Sequence, residues 1–215
     1  FPAVLVILTQ GCTSSTDTVG TGTLTLDFGT VGDDGMGGTT FTVNPERATQ
    51  NITIDTAHSS LAGVRDAINA AKAGVSASIV NDGSGNRLVL SSNSTGTSNS
   101  IRLRVTDNDG DGADAAGLSK LAYDPATGGA ANMLQAVAPV DAQFKLDGLE
   151  IVKASNTVTD VLGITMYWLG PDEWLFKSRD GQGEAIAAAL DSVLYGIWGV
   201  VVDVGPGVTT LKKGD

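Results

Sequence analysis

Between Asn51 and Ser91 the apolar residues change period twice, from strand spacing to helical spacing and back. Ile52 and Ile54 fall two apart, with Asn51 and Thr53 between and before them, which is the spacing of a half-buried strand. Leu61, Val64, Ile68 and Ala71 then fall at helical intervals, with Ala67 beside them, while Arg65, Asn69 and Lys72 take the other face. Ser59 or Ser60 can cap that helix, because a serine oxygen accepts from the free amides of the first turn. Gly74 suits the exit, and Lys72 sits near the negative end of the dipole. Val75, Ala77 and Ile79 return to alternation with Ser76 and Ser78. Asn81 to Asn86 is turn chemistry, and Leu88 and Leu90 resume the alternation. The stretch therefore predicts a strand, a short amphipathic helix and a hairpin. Its polar residues are accounted for by caps, turns and solvated faces, so it reads as part of an assembly or interaction protein.

The flanks extend the β character. Leu24, Leu26 and Phe28 alternate with Thr23, Thr25 and Asp27 in a first strand, and Gly32 to Gly38 is a glycine-rich turn. Phe41 and Val43 mark a second strand, which Asn44-Pro45 breaks. Ile101, Leu103 and Val105 alternate with Arg102 and Arg104, placing both arginines on one outer face that solvent is expected to cover. A loop from Asp107 to Asp114 precedes a short helical piece at Ala115 to Leu121, and Gly128 to Pro139 reads as irregular. Phe144 and Leu146, then Leu149 and Ile151, flank Asp147-Gly148, a tight hairpin signal. Thr157 to Leu162 reads as a short helix. From Tyr167 the composition shifts: all three tryptophans lie beyond it, a helix is expected from about Glu184 to Tyr195, and Trp198 to Val204 suits a buried strand. The expected fold is mainly β with short helices, α+β in class. An apolar segment (1–12) precedes an antiparallel β-rich head region (13–166), and a small strand-helix-strand tail (167–215) follows.

Charge narrows the function. Thirteen basic against 24 acidic residues give a net charge of −11. Nucleic-acid binding needs basic patches that displace counterions, and an anionic membrane surface needs the same sign, so neither is an expected partner. Phe1 to Leu8 is too short to span a bilayer. It resembles a truncated signal core ahead of Gly11-Cys12, but Thr9 stands where a lipoprotein box wants leucine, so a buried strand or a junction segment is the preferred reading. The single cysteine, Cys12, excludes an intrachain disulfide.

Chemistry-bearing patterns are incomplete. Asp107, Asp109, Asp111 and Gly112 imitate the start of a calcium loop, yet the twelfth position is Leu118 where a bidentate glutamate is needed. His58, the only histidine, precedes Ser59 and Ser60, but a nucleophile and its base must meet across space with a third group orienting the base. One histidine and one distant cysteine cannot make a zinc site, and the glycine clusters lack the phosphate-loop pattern. No catalytic, cofactor-binding or metal-binding residue is assigned, no cofactor is expected, and the chain is read as a non-enzyme.

Four blocks carry a family likeness: GTGTLTLDFGT from Gly20, the run from Thr40 to Ser92, DAAGLSKLAYDP from Asp114 and DAQFKLDGLEIVKASNTVTDVL from Asp141. Together, from roughly Thr13 to Thr165, they resemble the flagellar filament cap family, also called hook-associated protein 2. The resemblance implies an extracellular structural protein of the bacterial flagellum. Its head domains would self-associate in a cap-like oligomer and promote insertion of flagellin at the filament tip. Some members contribute to adhesion, which adds a host surface ligand to the implied partners. The long helical termini and export signals of that family have no counterpart here, so this chain alone is not expected to cap a filament.

The tail carries a second likeness. YWLGPDEWLF from Tyr167 and VVVDVGPGVTTLKKG from Val200 are similar to part of the sarcosine oxidase gamma subunit, a relative of folate-binding aminomethyltransferases. The alternative it implies is a fragment of a folate-binding oxidoreductase complex. Two unrelated likenesses in one short chain suggest a fusion, a chimera or a sequence with artificial ends.

Overall fold

The structure, a computed structural model, describes residues 5–8, 11–108, 110–146, 149–161, 164–170 and 173–178. The chain divides into two compact units, one ending at Val140 and the other running from Asp141.

The first unit holds two antiparallel sheets. Strand β1 (Leu5–Leu8) precedes the long β2 (Gly22–Asp33), which is followed by β3 (Thr39–Val43) and β4 (Gln50–Ile54). Helix α1 (Leu61–Ala71), the hairpin β5 (Val75–Asn81) and β6 (Asn86–Ser92), then β7 (Ser100–Asp107) and β8 (Met133–Val137) complete it. One sheet is organised by β2. Its first half pairs with β4 (Leu24 opposite Ile52) and its second half with β3 (Val31 opposite Phe41). β7 runs along its other edge, with Asp27 opposite Arg102. β3 and β4 thus lie in tandem beside one strand of twelve residues, with the Asn44-Pro45 break between them. The second sheet has the order β5-β6-β1-β8.

The core follows the alternation. Leu24, Leu26, Phe28, Ile101 and Leu103 from the first sheet join Val6, Leu8, Val75, Leu88 and Leu90 from the second in one hydrophobic cluster. Leu61, Val64 and Ile68 of α1 and Leu118 and Leu121 of a 3-10 turn (Gly117–Leu121) complete it. Each buried leucine or isoleucine contributes about 1.5–3 kcal/mol relative to exposure. Of the apolar N-terminal stretch, the described residues Leu5–Leu8 form β1, a strand between β6 and β8 whose Val6 and Leu8 are buried.

Ser60 is the cap of α1: its Oγ accepts from Gly63 N at 3.1 Å. Two details of the helix differ from expectation. Ala71 is exposed, which costs little because only one methyl group meets water. The helix exits through Lys72, left-handed at φ 49°, with its N–H donated to Asn69 O, and only then reaches Gly74 at φ 86°. Asn69, on the polar face, bridges instead to the sheet. Its Nδ2 donates to Ala77 O at 2.9 Å and its Oδ1 accepts from Ala77 N at 2.8 Å.

Two further expectations are corrected. Met133–Val137, inside the stretch read as irregular, is β8. Its large exposed residue is Leu134, so the apolar alternation is blurred, and the strand is defined by its pairing with β1. Thr157–Val161, read as a helix, is β11. Thr157, Val158, Thr159 and Val161 are β-branched, which favours the extended backbone that pairs with the next strand.

In the second unit, β9 (Ala142–Leu146) and β10 (Leu149–Lys153) form the expected hairpin. β11, β12 (Ile164–Gly170) and β13 (Glu173–Ser178) form a three-stranded sheet. The tail therefore opens on a hairpin, with Trp168 opposite Trp174. The expected helix at Glu184 to Tyr195 and strand at Trp198 to Val204 lie outside the described residues.

Candidate functional site

The most organised polar cluster of the first unit lies on the outer face of the β2 sheet. Alternation along β2 sends Leu26 and Phe28 into the core and should leave Asp27 in water, yet Asp27 is only 1 % exposed. The register explains why. Arg102 lies directly opposite on β7, with Arg104 two residues on. Asp27 Oδ2 accepts from Arg102 Nη2 at 2.9 Å, Arg102 Nε at 3.1 Å and Arg104 Nη2 at 3.1 Å. Its Oδ1 accepts from Thr49 Oγ1 at 2.6 Å. Burial pushes the Asp27 carboxyl up, but the Thr49 hydroxyl and the two guanidinium groups outweigh it and hold the group below the usual carboxylate range. Arg102 also lies over the Phe41 ring, 4.6 Å from its centroid, and 3.9 Å from Asp124.

The cluster extends to Gly29, where a Cβ would collide with the Phe41 ring and the Thr42 carbonyl. Glycine is needed there so that β3 can close on β2. Beside it, Arg47 stacks 3.4 Å over Phe28 and donates to Asn99 Oδ1 at 2.6 Å. The outer face of β7 is therefore not simply solvated, as the alternation suggested. Arg102 is 18 % exposed and held by Asp27, while Arg104 is 55 % exposed. With its carboxylate saturated by donors, the cluster ties β2, β7 and the loop before β4 together and offers no nucleophile or base.

The patterns weighed in the sequence have structural partners. His58 Nδ1 lies 2.8 Å from Asp55 Oδ1, Ser59 Oγ donates to Thr56 O at 3.0 Å, and Ser60 caps α1. Histidine and serine are thus not brought together as base and nucleophile. In the acidic loop, Asp107 Oδ2 accepts from Ser119 N and Oγ, Asp111 Oδ1 accepts from Ala113 N, and Leu118 is fully buried. Asp109 lies outside the described residues. Among the described residues no group of three or more ligating side chains could hold a metal ion. Cys12 exchanges backbone hydrogen bonds with Asn86 at 2.8 and 2.6 Å. Burial, then the Asp17 charge, push its thiol up, which disfavours the reactive thiolate.

The outer face of the second sheet is different. Val89, Ile7 and Leu134 lie in direct register across three strands. With Val80 they line an open apolar groove of about 580 Å³, which Asp82 and Arg87 also border.

The comparisons with known proteins agree with this fold. Residues 40–94, which hold β3, β4, α1 and the β5–β6 hairpin, match the flagellin hook IN motif. The chain is 47% identical over 119 residues to the B-type flagellar hook-associated protein 2 of Pseudomonas aeruginosa, covering 52% of this chain and 24% of that protein. It is 45% identical over 110 residues to flagellar hook-associated protein 2 of Escherichia coli K12, covering 51% and 22%. It thus spans about a quarter of the length of these relatives. Among solved structures, the D2-D3 domains of the flagellar cap protein FliD from Escherichia coli match with TM-score 0.60 and 31% identity, over 76% of this chain and 74% of that one. FliD from Pseudomonas aeruginosa matches with TM-score 0.56 and 31% identity, over 90% and 83%. Identity at this level over most of a solved head-domain chain, with the IN-motif match in the same first unit, places the chain in the flagellar cap protein family, hook-associated protein 2.

Proposed function

We propose that this chain is head-region material of a flagellar filament cap, on the bacterial flagellum outside the cell. It works without catalysis, by self-association and by guiding flagellin as it inserts at the tip. The observation that carries this reading is the match of residues 40–94 to the flagellin hook IN motif within a fold shared with FliD head domains. The candidate polar residues support it, because their partners are caps, turns and an internal ion cluster. On this reading the head spans residues 13–166. Among the described residues, no helix is long and apolar enough to cross a membrane. The oxidoreductase alternative drawn from the tail is not supported: the family matches are to flagellar proteins, and most of the tail lies beyond the described residues.

The test is a chimera. Residues 22–140 replace the matching head segment of the Escherichia coli protein, whose own termini are kept, in a cap-deficient strain. Filament growth and swarming are expected to return. A chimera that is exported and stable yet leaves flagellin unpolymerised in the medium would overturn the proposal. Adhesion, which the family likeness implies, is tested by loss of host-cell binding when the same segment is exchanged for an unrelated β domain.

A further inference from the structure

Two of the edge strands of the first unit, β5 and β3, are finished differently. At β5, both backbone groups of Ala77 are taken by the Asn69 amide, which stands in for a neighbouring strand. At β3 the protection is partial. Thr40 and Thr42 lie opposite Gly32 and Thr30, and Asn44 N donates to Phe28 O, so the even-numbered residues bond to β2. The backbone groups of Thr39, Phe41 and Val43 therefore point away from the sheet. Thr127 takes both groups of Thr39: its Oγ1 accepts from Thr39 N at 2.6 Å and its N–H donates to Thr39 O at 2.9 Å. Among the described residues, nothing bonds the backbone of Phe41 or Val43. β3 itself carries no charge, and Val43 is 38% exposed. An uncharged edge with open donors and acceptors is a template for another strand.

We propose that β3 is a strand-addition site whose occupant is β3 of a second copy of this chain, paired antiparallel about a twofold axis at Thr42. This rests on the reading of the chain as an assembly module and names one of its contacts. The register follows from the Thr127 plug. With Thr39 blocked, only Phe41 and Val43 offer free groups, and a pairing of Phe41 with the partner's Val43, and the reverse, uses all of them in four hydrogen bonds. It also brings Thr42 opposite its own copy at a non-hydrogen-bonded position, where side chains approach most closely and threonine pairs are favourable. The absence of charge on β3 matters in a chain of net charge −11, because repulsion is weakest where two such strands meet.

The register gives the test. In the full chain with Cys12→Ser, Thr42→Cys should form a disulfide-linked dimer on mild oxidation, since opposed non-hydrogen-bonded positions lie within about 4.5 Å between Cα atoms. Thr40→Cys, which the register places opposite the partner's Asn44, should stay monomeric. In the unmodified chain, amide exchange at Phe41 and Val43 should slow by about tenfold or more from dilute to concentrated solution. Val43→Lys should remove that protection, and Val80→Lys on the other sheet should not. Equal cross-linking at positions 40 and 42, or unprotected amides in a chain that still associates, would overturn the twofold pairing and leave the cap reading standing. A chain that stays monomeric throughout would also overturn it. Swarming of the chimera separates the two questions, because it reports the cap function whichever way β3 behaves.

Discussion

The two sheets of the first unit share one core and differ on their outer faces. The β2 sheet carries a buried carboxylate clamped by two arginines and a threonine, with an aromatic ring stacked on one arginine. The β5-β6-β1-β8 sheet carries an open apolar groove. A buried ionic cluster gives little net stability by itself but makes the register costly to change, because any slip leaves a charge without partners. An apolar outer face has no such lock and can change its contacts cheaply. The first face is thus built to hold one geometry, and the second is open to a neighbour.

The sharpest way to break this contrast is Asp27→Ala. It leaves Arg102 and Thr49 without their acceptor, and unfolding in guanidinium should show a loss of about 3–5 kcal/mol. A loss below about 1 kcal/mol would mean that the cluster is not a lock. Next in size is Gly29→Ala, whose new methyl group meets the Phe41 ring and the Thr42 carbonyl. Pushing β3 outward should cost about 1–3 kcal/mol in the same assay. Ser60→Ala removes the cap of α1 and should cost about 1 kcal/mol, with thermal melting as the check.

Acid probes the clamp differently. The folded Asp27 carboxyl is held below its unfolded value, so its contribution is fully present above the unfolded pKa and is lost as pH falls through the folded one. Stability should stay level from pH 7 to 5 and fall only below about pH 4. Asp27→Asn should flatten part of that fall. The smallest effect is expected on the other face. Leu134→Lys, at a position 61% exposed, should change stability by no more than about 0.5 kcal/mol. A larger loss would show that the groove is structural and would remove the contrast.

Much of the fold was legible in the residues. The change of period between Asn51 and Ser91 located β4, α1, β5 and β6, because Ile52, Ile54, Leu61, Val64, Ile68, Val75, Ala77, Leu88 and Leu90 are buried as their elements' spacing requires. The pairing of β9 with β10 was legible from the turn chemistry of the sequence between them. β11 was missed because a run of threonine and valine was read by spacing over too short a window, and β8 because its exposed Leu134 hides the alternation. The likeness of four blocks to the cap family was visible as well, and the flagellin hook IN motif match at residues 40–94 covers the longest of them.

The sequence by itself determined the local periods, the turns, the pair of serines from which the structure takes Ser60 as the cap of α1, and the family, since each is written within a few consecutive residues or an ordered set of blocks. Only the tertiary structure decided that Asp27 is buried, that Arg102 serves it, that Asn69 closes the β5 edge and that Phe41 and Val43 are left open on β3. The reason is register: Asp27 and Arg102 lie 75 residues apart in the chain, and which strand lies beside which is set by long-range pairing that no local pattern records.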